Sequence, residues 1–257
     1  MCGRYTLTAT PEEIRRLFRY QDQPNFPPRW NIAPTQPIAI VANEHGERHF
    51  KLVRWGLIPS WAKDPKDLPL LLNARAETLA DKPAFRGAFR HRRCLVPASG
   101  FYEWKRTGPV KQPYFMRPTH GGAIAFAGLW ESWMGADGSE IDTAALVTMP
   151  ANATLSAIHD RMPAIILPED FDSWLNTATG DKADAMKPLR PVPESFFECV
   201  PVSDRVNRVV NDDARLVEPL TEPLQPATAL RSEAAPSTPV DKKPKARKSS
   251  GGQMNLF

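Results

Sequence analysis

Residues 93–105 read "RCLVPASGFYEWK". The stretch holds two short apolar and aromatic runs, "RCLVPA" and "GFYEWK", and both read as strands. The pattern repeats on either side. "QPYFMR" (112–117), "GAIAFAGLWE" (122–131), "TAALVTM" (143–149) and "PAIILP" (163–168) are further strand candidates. "QPIAIVAN" (36–43) and "RHFKLVRW" (48–55) flank "EHGE" (44–47), where Gly46 predicts a hairpin turn. Helical signals are fewer. "PEEIRRLF" (11–18) follows Thr10, a good N-cap, with Pro11 at the first helical position and acids in the first turn. "ANATLSAI" (151–158) and "PEDFDSWL" (168–175) also read as helices. Many short strands with few helices between them predict an α+β fold. Its core is a mainly antiparallel, barrel-like β-sheet with short helices at the margins.

With 257 residues, 42% of them hydrophobic, the chain can build one large core or two small ones. The 27 prolines predict a loop-rich fold. The three cysteines, Cys2, Cys94 and Cys199, lie too far apart for a zinc pattern and do not make a disulfide framework. No run of 18 apolar residues is present, so no membrane span is expected. The N-terminus lacks the basic-then-apolar order of a secretory signal. The expectation is an intracellular protein, cytoplasmic and associated with the nucleoid. The net charge of +4 permits a polyanionic partner without requiring one. There is no Walker A loop, no G-x-G-x-x-G, no H-E-x-x-H and no G-x-S-x-G. His45, His49, His91, His120 and His159 do not cluster in sequence, so no metal or cofactor is expected. Nothing points beyond a monomer.

The composition changes near residue 220. Residues 2–220 read as one folded domain. Residues 221–257 are rich in Pro, Ala, Ser and Lys, with too little apolar surface to offset the entropy of ordering, and read as a disordered tail. "KKPKARK" (242–248) serves either as a solvated linker or as a weak phosphate-binding arm. The tail ends "QMNLF". Gln253, Met254, Asn255, Leu256 and Phe257 resemble, position by position, the pentapeptide with which bacterial proteins dock on the replication sliding clamp. A linear motif of this kind seats its apolar residues in a groove on the partner.

The chemistry centres on "MCGRYTL" (1–7). Methionine is normally excised before a small residue such as cysteine. Cys2 would then carry a free α-amine and a thiol on adjacent carbons. Both groups have ordinary pKa values close enough to neutrality for a useful fraction to be nucleophilic. Such a 1,2-aminothiol condenses with an aldehyde: the amine forms a Schiff base and the thiol closes a thiazolidine. A cysteine inside the chain cannot do this. Taken alone, Cys2 reads as an ordinary second residue.

Other residues are chemically suggestive but individually ordinary. Asn73, Arg75 and Glu77 follow an apolar run in "LLLNARAET" (70–78). Glu103 sits among aromatics in "GFYEWK", placed to act as a general acid or base. His159, Asp160 and Arg161 share "IHDRMP" (158–163) at an expected helix end. Trp55 and Trp61 lie in "RWGLIPSW" (54–61), read as a proline-containing loop. Singly, each has a structural account.

Together, "CGRY", "NIAPT", "RWGLIPSW", "NARAET", "GFYEWK", "IHDRMP" and "VNRVVND" occur in an order and at spacings that resemble the SRAP (SOS response-associated peptidase) family over about residues 2–220. The resemblance implies an abasic-site processing protein that binds single-stranded DNA and cross-links to the ring-opened sugar through Cys2. By the same resemblance Asn73, Glu103 and His159 complete the catalytic set. Arg4, Arg75 and Arg161 would grip phosphates, and Pro34 and Trp61 would wedge and stack on bases. The family name also carries a proposed peptidase activity. A thiol peptidase using Cys2 and a non-covalent single-strand binder are the competing readings.

Overall fold

A computed structural model describes residues 2–178, 181–221 and 224. Contacts group Met1–Leu224 into one unit. The segment 225–257, with "KKPKARK" and "QMNLF", lies outside the described residues. No described helix is long and apolar enough to cross a membrane.

In chain order the strands are β1 (Tyr5–Leu7), β2 (Arg29–Ile32), β3 (Pro37–Glu44), β4 (Glu47–Trp55), β5 (Asn73–Arg75), β6 (Arg93–Ala98), β7 (Gly100–Thr107), β8 (Val110–Pro118), β9 (Ile124–Met134), β10 (Glu140–Pro150), β11 (Arg161–Pro163), β12 (Ile165–Ile166) and β13 (Phe197–Pro201). The helices are short: α1 (Pro11–Phe18), α2 (Arg86–His91), α3 (Ala153–Ser156), α4 (Phe171–Leu175) and α5 (Lys182–Met186).

The local signals hold where they are chemically strong. Thr10 caps α1 in a capping box, accepting from the Glu13 amide while the Glu13 carboxylate receives the Thr10 amide. β3 and β4 form the expected hairpin, with Glu44 opposite Glu47 and both turn residues, His45 and Gly46, at positive φ. Helix is scarcer than expected over 151–158. Asn152 caps α3 through the Leu155 amide, but the helix runs only four residues. "PEDFDSWL" splits into a 3-10 turn at Pro168–Asp170 followed by α4. Trp55 is not a loop residue. It ends β4 and is fully buried.

The sheet closes on itself. β4 pairs β3, β3 pairs β6, β6 pairs β9 and β9 pairs β10, all antiparallel, and β10 returns to β4 as a parallel joint. This five-strand ring is the barrel-like core of the expected α+β fold. Closure removes the exposed edges that an open sheet would present. A second, five-stranded sheet has the order β13-β8-β7-β1-β2. Aromatic side chains join the two. Tyr5 of β1 meets Trp55 and Phe126 edge-on at 5.4 and 5.8 Å, and Phe101 of β7 meets Phe126 at 6.0 Å. Each such pair adds roughly 0.5–1.5 kcal/mol beyond the area it buries.

Two pairings place the site. β1 runs antiparallel to β7, with Tyr5 opposite Phe101 and Thr6 opposite Gly100. This register lays the N-terminal segment along the strand that carries Glu103. Gly100 is needed there because a Cβ would stand 2.4 Å from the Phe115 ring and 2.6 Å from the Met116 carbonyl. β5 runs parallel to β10, with Asn73 opposite Leu146 and Arg75 opposite Thr148.

Candidate functional site around Cys2

The N-terminal segment reaches the site through backbone pairing. The Tyr102 amide donates to the Arg4 carbonyl at 2.9 Å, which brings residues 2–4 beside Glu103. Cys2 is fully buried, and its Sγ lies 4.0 Å from the Arg4 carbonyl oxygen. Burial pushes the Cys2 thiol well above its usual range, and the nearby negative charge of Glu103 pushes it further. The thiol is therefore held protonated. Asn73, at the start of β5, donates from Nδ2 to the Cys2 carbonyl at 3.0 Å. Its Oδ1 is buried and accepts no hydrogen bond among the described residues. That leaves a buried acceptor on the side chain that holds Cys2, with capacity for an amine or hydroxyl donor.

Glu103 is buried on β7 between Tyr102 and Trp104. It shares a cavity of about 630 Å³ with His159, Trp104, Lys105, Arg106 and Lys111. Lys111 Nζ lies 5.2 Å from the Trp104 ring centre, a cation–π contact that keeps a positive charge on this wall. His159 follows α3. Its Nδ1 accepts the Arg161 amide at 3.0 Å and also lies 2.9 Å from Asp160 Oδ1. The two partners exclude each other. Accepting the amide needs the Nδ1 lone pair, so the neutral ring carries its proton on Nε2. Facing Asp160 as a donor needs a proton on Nδ1.

Cys2, Asn73, Glu103 and His159, which are dispersed in sequence, thus form one contiguous region. The arginines divide differently. Arg75 is exposed, and after Arg161 its positive charge helps lower the pKa of the Glu77 carboxyl. Arg161 is largely enclosed. It makes a two-pronged pair with Glu77 and donates to the Thr148 carbonyl at 2.6 Å. Arg4 donates to Asn31 Oδ1 at 2.8 Å and to the Val206 carbonyl at 2.7 Å, and burial lowers its pKa. Both guanidiniums are engaged within the protein, so Arg75 is the one most available to a phosphate. Trp61 is 57% exposed and anchored by its indole N–H to the Pro83 carbonyl at 3.3 Å. Its ring is open for stacking. Pro34 is half-buried in the turn that starts at Ala33, where the Gln36 amide donates to the Ala33 carbonyl.

Asn31 is a residue whose importance the sequence reading missed, although it opens the "NIAPT" motif. It is fully buried. Its Nδ2 donates to the carbonyls of Val206, Arg208 and Asn211 at 3.3, 3.2 and 2.7 Å, while Oδ1 receives Arg4. One amide therefore clamps the "VNRVVND" loop to the arginine beside Cys2. The signal was its place in a shared motif, but the loop carbonyls it holds lie more than 170 residues away, beyond any local pattern. Asn31→Ala strands these carbonyls and Arg4 together, and a loss of about 3 kcal/mol in urea unfolding is expected.

Among the described residues no group of His, Cys, Asp and Glu is arranged to hold a metal ion. The SOS response associated peptidase (SRAP) family model matches residues 1–209. The abasic site processing protein YoqW of Bacillus subtilis is 37% identical over 222 residues, covering 85% of this chain and 99% of its own. The abasic site processing protein YedK of Escherichia coli is 32% identical, covering 86% and 100%. A crystal structure of a protein from Bacteroides thetaiotaomicron superposes with a TM-score of 0.77 at 25% identity, covering 85% of this chain and 100% of that one. The motif order, the fold and these matches agree: the chain belongs to the SRAP family.

Proposed function

We propose that the protein processes abasic sites in single-stranded DNA by a covalent cross-link through Cys2. The observation that carries this reading is the burial of Cys2 beside Glu103, with its carbonyl held by Asn73. Once Met1 is removed, the Cys2 amine attacks C1′ of the ring-opened sugar. The carbonyl oxygen leaves as water, giving a Schiff base. The thiol then adds to the same carbon. A C–S bond forms, the thiol proton leaves the sulfur, and the nitrogen gains a proton, so the product is a neutral thiazolidine. Glu103 receives and returns protons in these steps. His159 serves the sugar oxygen or adjacent phosphate. Arg75 holds the backbone and Trp61 stacks on a neighbouring base, a contact of roughly 1–3 kcal/mol that needs no particular sequence.

The raised Cys2 thiol weighs against a thiol peptidase. Such enzymes activate the nucleophile by lowering its pKa beside a cation, and the neighbour here is a carboxylate. The deciding experiment incubates the protein with a single-stranded oligonucleotide carrying one abasic site. Mass spectrometry first verifies the mature N-terminus, and a denaturing gel reads the product. Binding without a denaturation-resistant adduct would favour the non-covalent reading.

The terminal "QMNLF" is proposed to dock on the bacterial replication sliding clamp, holding the protein where template strands are single. A tether raises local concentration without adding contacts at the lesion. Deleting Leu256 and Phe257 is expected to abolish clamp capture in a pull-down while leaving cross-linking unchanged. Unaltered capture would refute the docking role.

A further inference from the structure

Away from Cys2, α2 and the start of α5 enclose a cavity of about 370 Å³ whose lining includes Arg86, Arg90, His91, Arg93 and Lys182. Asp181 is the one acidic residue of that lining, against three arginines and a lysine. Arg86 and Arg90 are exposed, one helical turn apart on α2. Like charges at this spacing destabilise a helix. Arg93 lies buried at the base, and its guanidinium donates to the carbonyls of Trp174, Phe89 and Asn176. It has three carbonyls and no counter-charge, and burial pulls its pKa down to about 10. The neighbouring carboxylates already hold partners, and one of those partners is the cavity's own Lys182. Asp81 faces Lys182 at 3.1 Å, Asp181 caps α5, Asp184 pairs with Lys187 and Glu131 lies 3.8 Å from Arg92.

The cavity is connected to the site. From Arg75 the chain proceeds by consecutive turns, with Leu79 bonded to Arg75, Lys82 to Thr78, and Arg86 to Lys82. Arg75, Lys82, Arg86 and Arg90 along this ribbon are all exposed. Trp61 is fastened to the same ribbon at Pro83. An aromatic platform is thus fastened to the ribbon that runs from the exposed arginine of the site to the basic cleft. Cations interleaved with an open ring are the arrangement that tracks a single strand.

We propose that the cleft of Arg86, Arg90 and His91 is a second anion site, taking backbone phosphates of the single-stranded DNA that flanks the lesion beyond Trp61. The inference rests on the chain acting on single-stranded DNA, as proposed above. The cleft contributes to affinity and strand path, and takes no part in the reaction at C1′.

The test compares wild type with Arg86→Ala/Arg90→Ala in the full chain, using abasic oligonucleotides of about 5 and about 15 nucleotides. The double variant is expected to bind the longer strand roughly tenfold more weakly, with a salt slope shallower by about 1.4. Binding and adduct yield with the shorter strand should match wild type. Arg86→Lys/Arg90→Lys should retain most of the long-strand affinity, since charge is kept. Unchanged affinity and slope on the longer strand would overturn the proposal. So would an equal loss on both strands, or a loss that the lysine pair does not rescue. The adduct and the length effect read separately. A wild type that forms no adduct yet loses long-strand binding in the double variant would sink the covalent chemistry and leave the cleft standing.

Discussion

Cys2→Ala leaves no denaturation-resistant adduct with an abasic oligonucleotide, while binding to the same strand persists within a few-fold. The size of this effect follows from bond counting. The thiazolidine needs one sulfur and one nitrogen on adjacent carbons, and alanine supplies only the nitrogen. A Schiff base can still form, but water reverses it during the gel. Reduction with borohydride should trap it, so the variant should show an adduct only after reduction. Cys2→Ser should behave in the same way as Cys2→Ala. Inserting one residue between Met1 and Cys2 should remove both kinds of adduct at the cysteine, because its nitrogen then lies in a peptide bond. That insertion separates the 1,2-aminothiol chemistry from a simple thiol nucleophile, which would survive it. The fold should tolerate Cys2→Ala with modest loss, since the side chain is small and its Sγ makes only a weak 4.0 Å contact with the Arg4 carbonyl.

How far the sequence reached depends on the range of the interactions involved. Helix α1 was legible to the residue because Thr10, Pro11 and Glu13 act within one turn. The β3–β4 hairpin was legible because Gly46 marks the turn and the flanking runs are long. The helix expected over 151–158 shrank to four residues because the chain turns back on itself there. The Ala151 amide donates to the Asp160 carbonyl, which closes the segment into a loop. Nothing local announces the parallel β10–β4 joint that closes the ring, nor the β1–β7 register that brings Cys2 to Glu103. Both are set by packing between strands far apart in sequence. Cys2, Asn73, Glu103 and His159 were singled out through ordered motifs, and those motifs say nothing of the partners the arginines hold within the protein. A motif gives residue type and spacing. It does not tell that Arg4 is spent on Asn31 and Val206, or that Arg161 is held by Glu77 and Thr148.

Glu103→Gln slows cross-link formation by about 10²–10⁴-fold, the range lost when a positioned general acid or base is removed. The substitution keeps shape and burial, so folding is the smaller concern. Its value lies in the sign of a second effect. The negative charge of Glu103 helps hold the Cys2 thiol above its usual pKa, and removing that charge lowers it. At any given pH near neutrality the variant therefore carries more thiolate than wild type. If attack by a pre-formed thiolate limited the rate, Glu103→Gln would be faster, and its rate would reach a plateau at lower pH. If the carboxylate instead takes the thiol proton as sulfur meets the Schiff base, the variant is slower despite its larger thiolate fraction. Rates measured from pH 6 to 9 on one abasic oligonucleotide distinguish the two. A general-base role predicts a depressed rate throughout, with the deficit shrinking as pH rises and hydroxide or free thiolate replaces the missing base. A variant as fast as wild type at neutral pH would remove Glu103 from the proton transfers and leave it the task of keeping the thiol protonated until the aldehyde arrives.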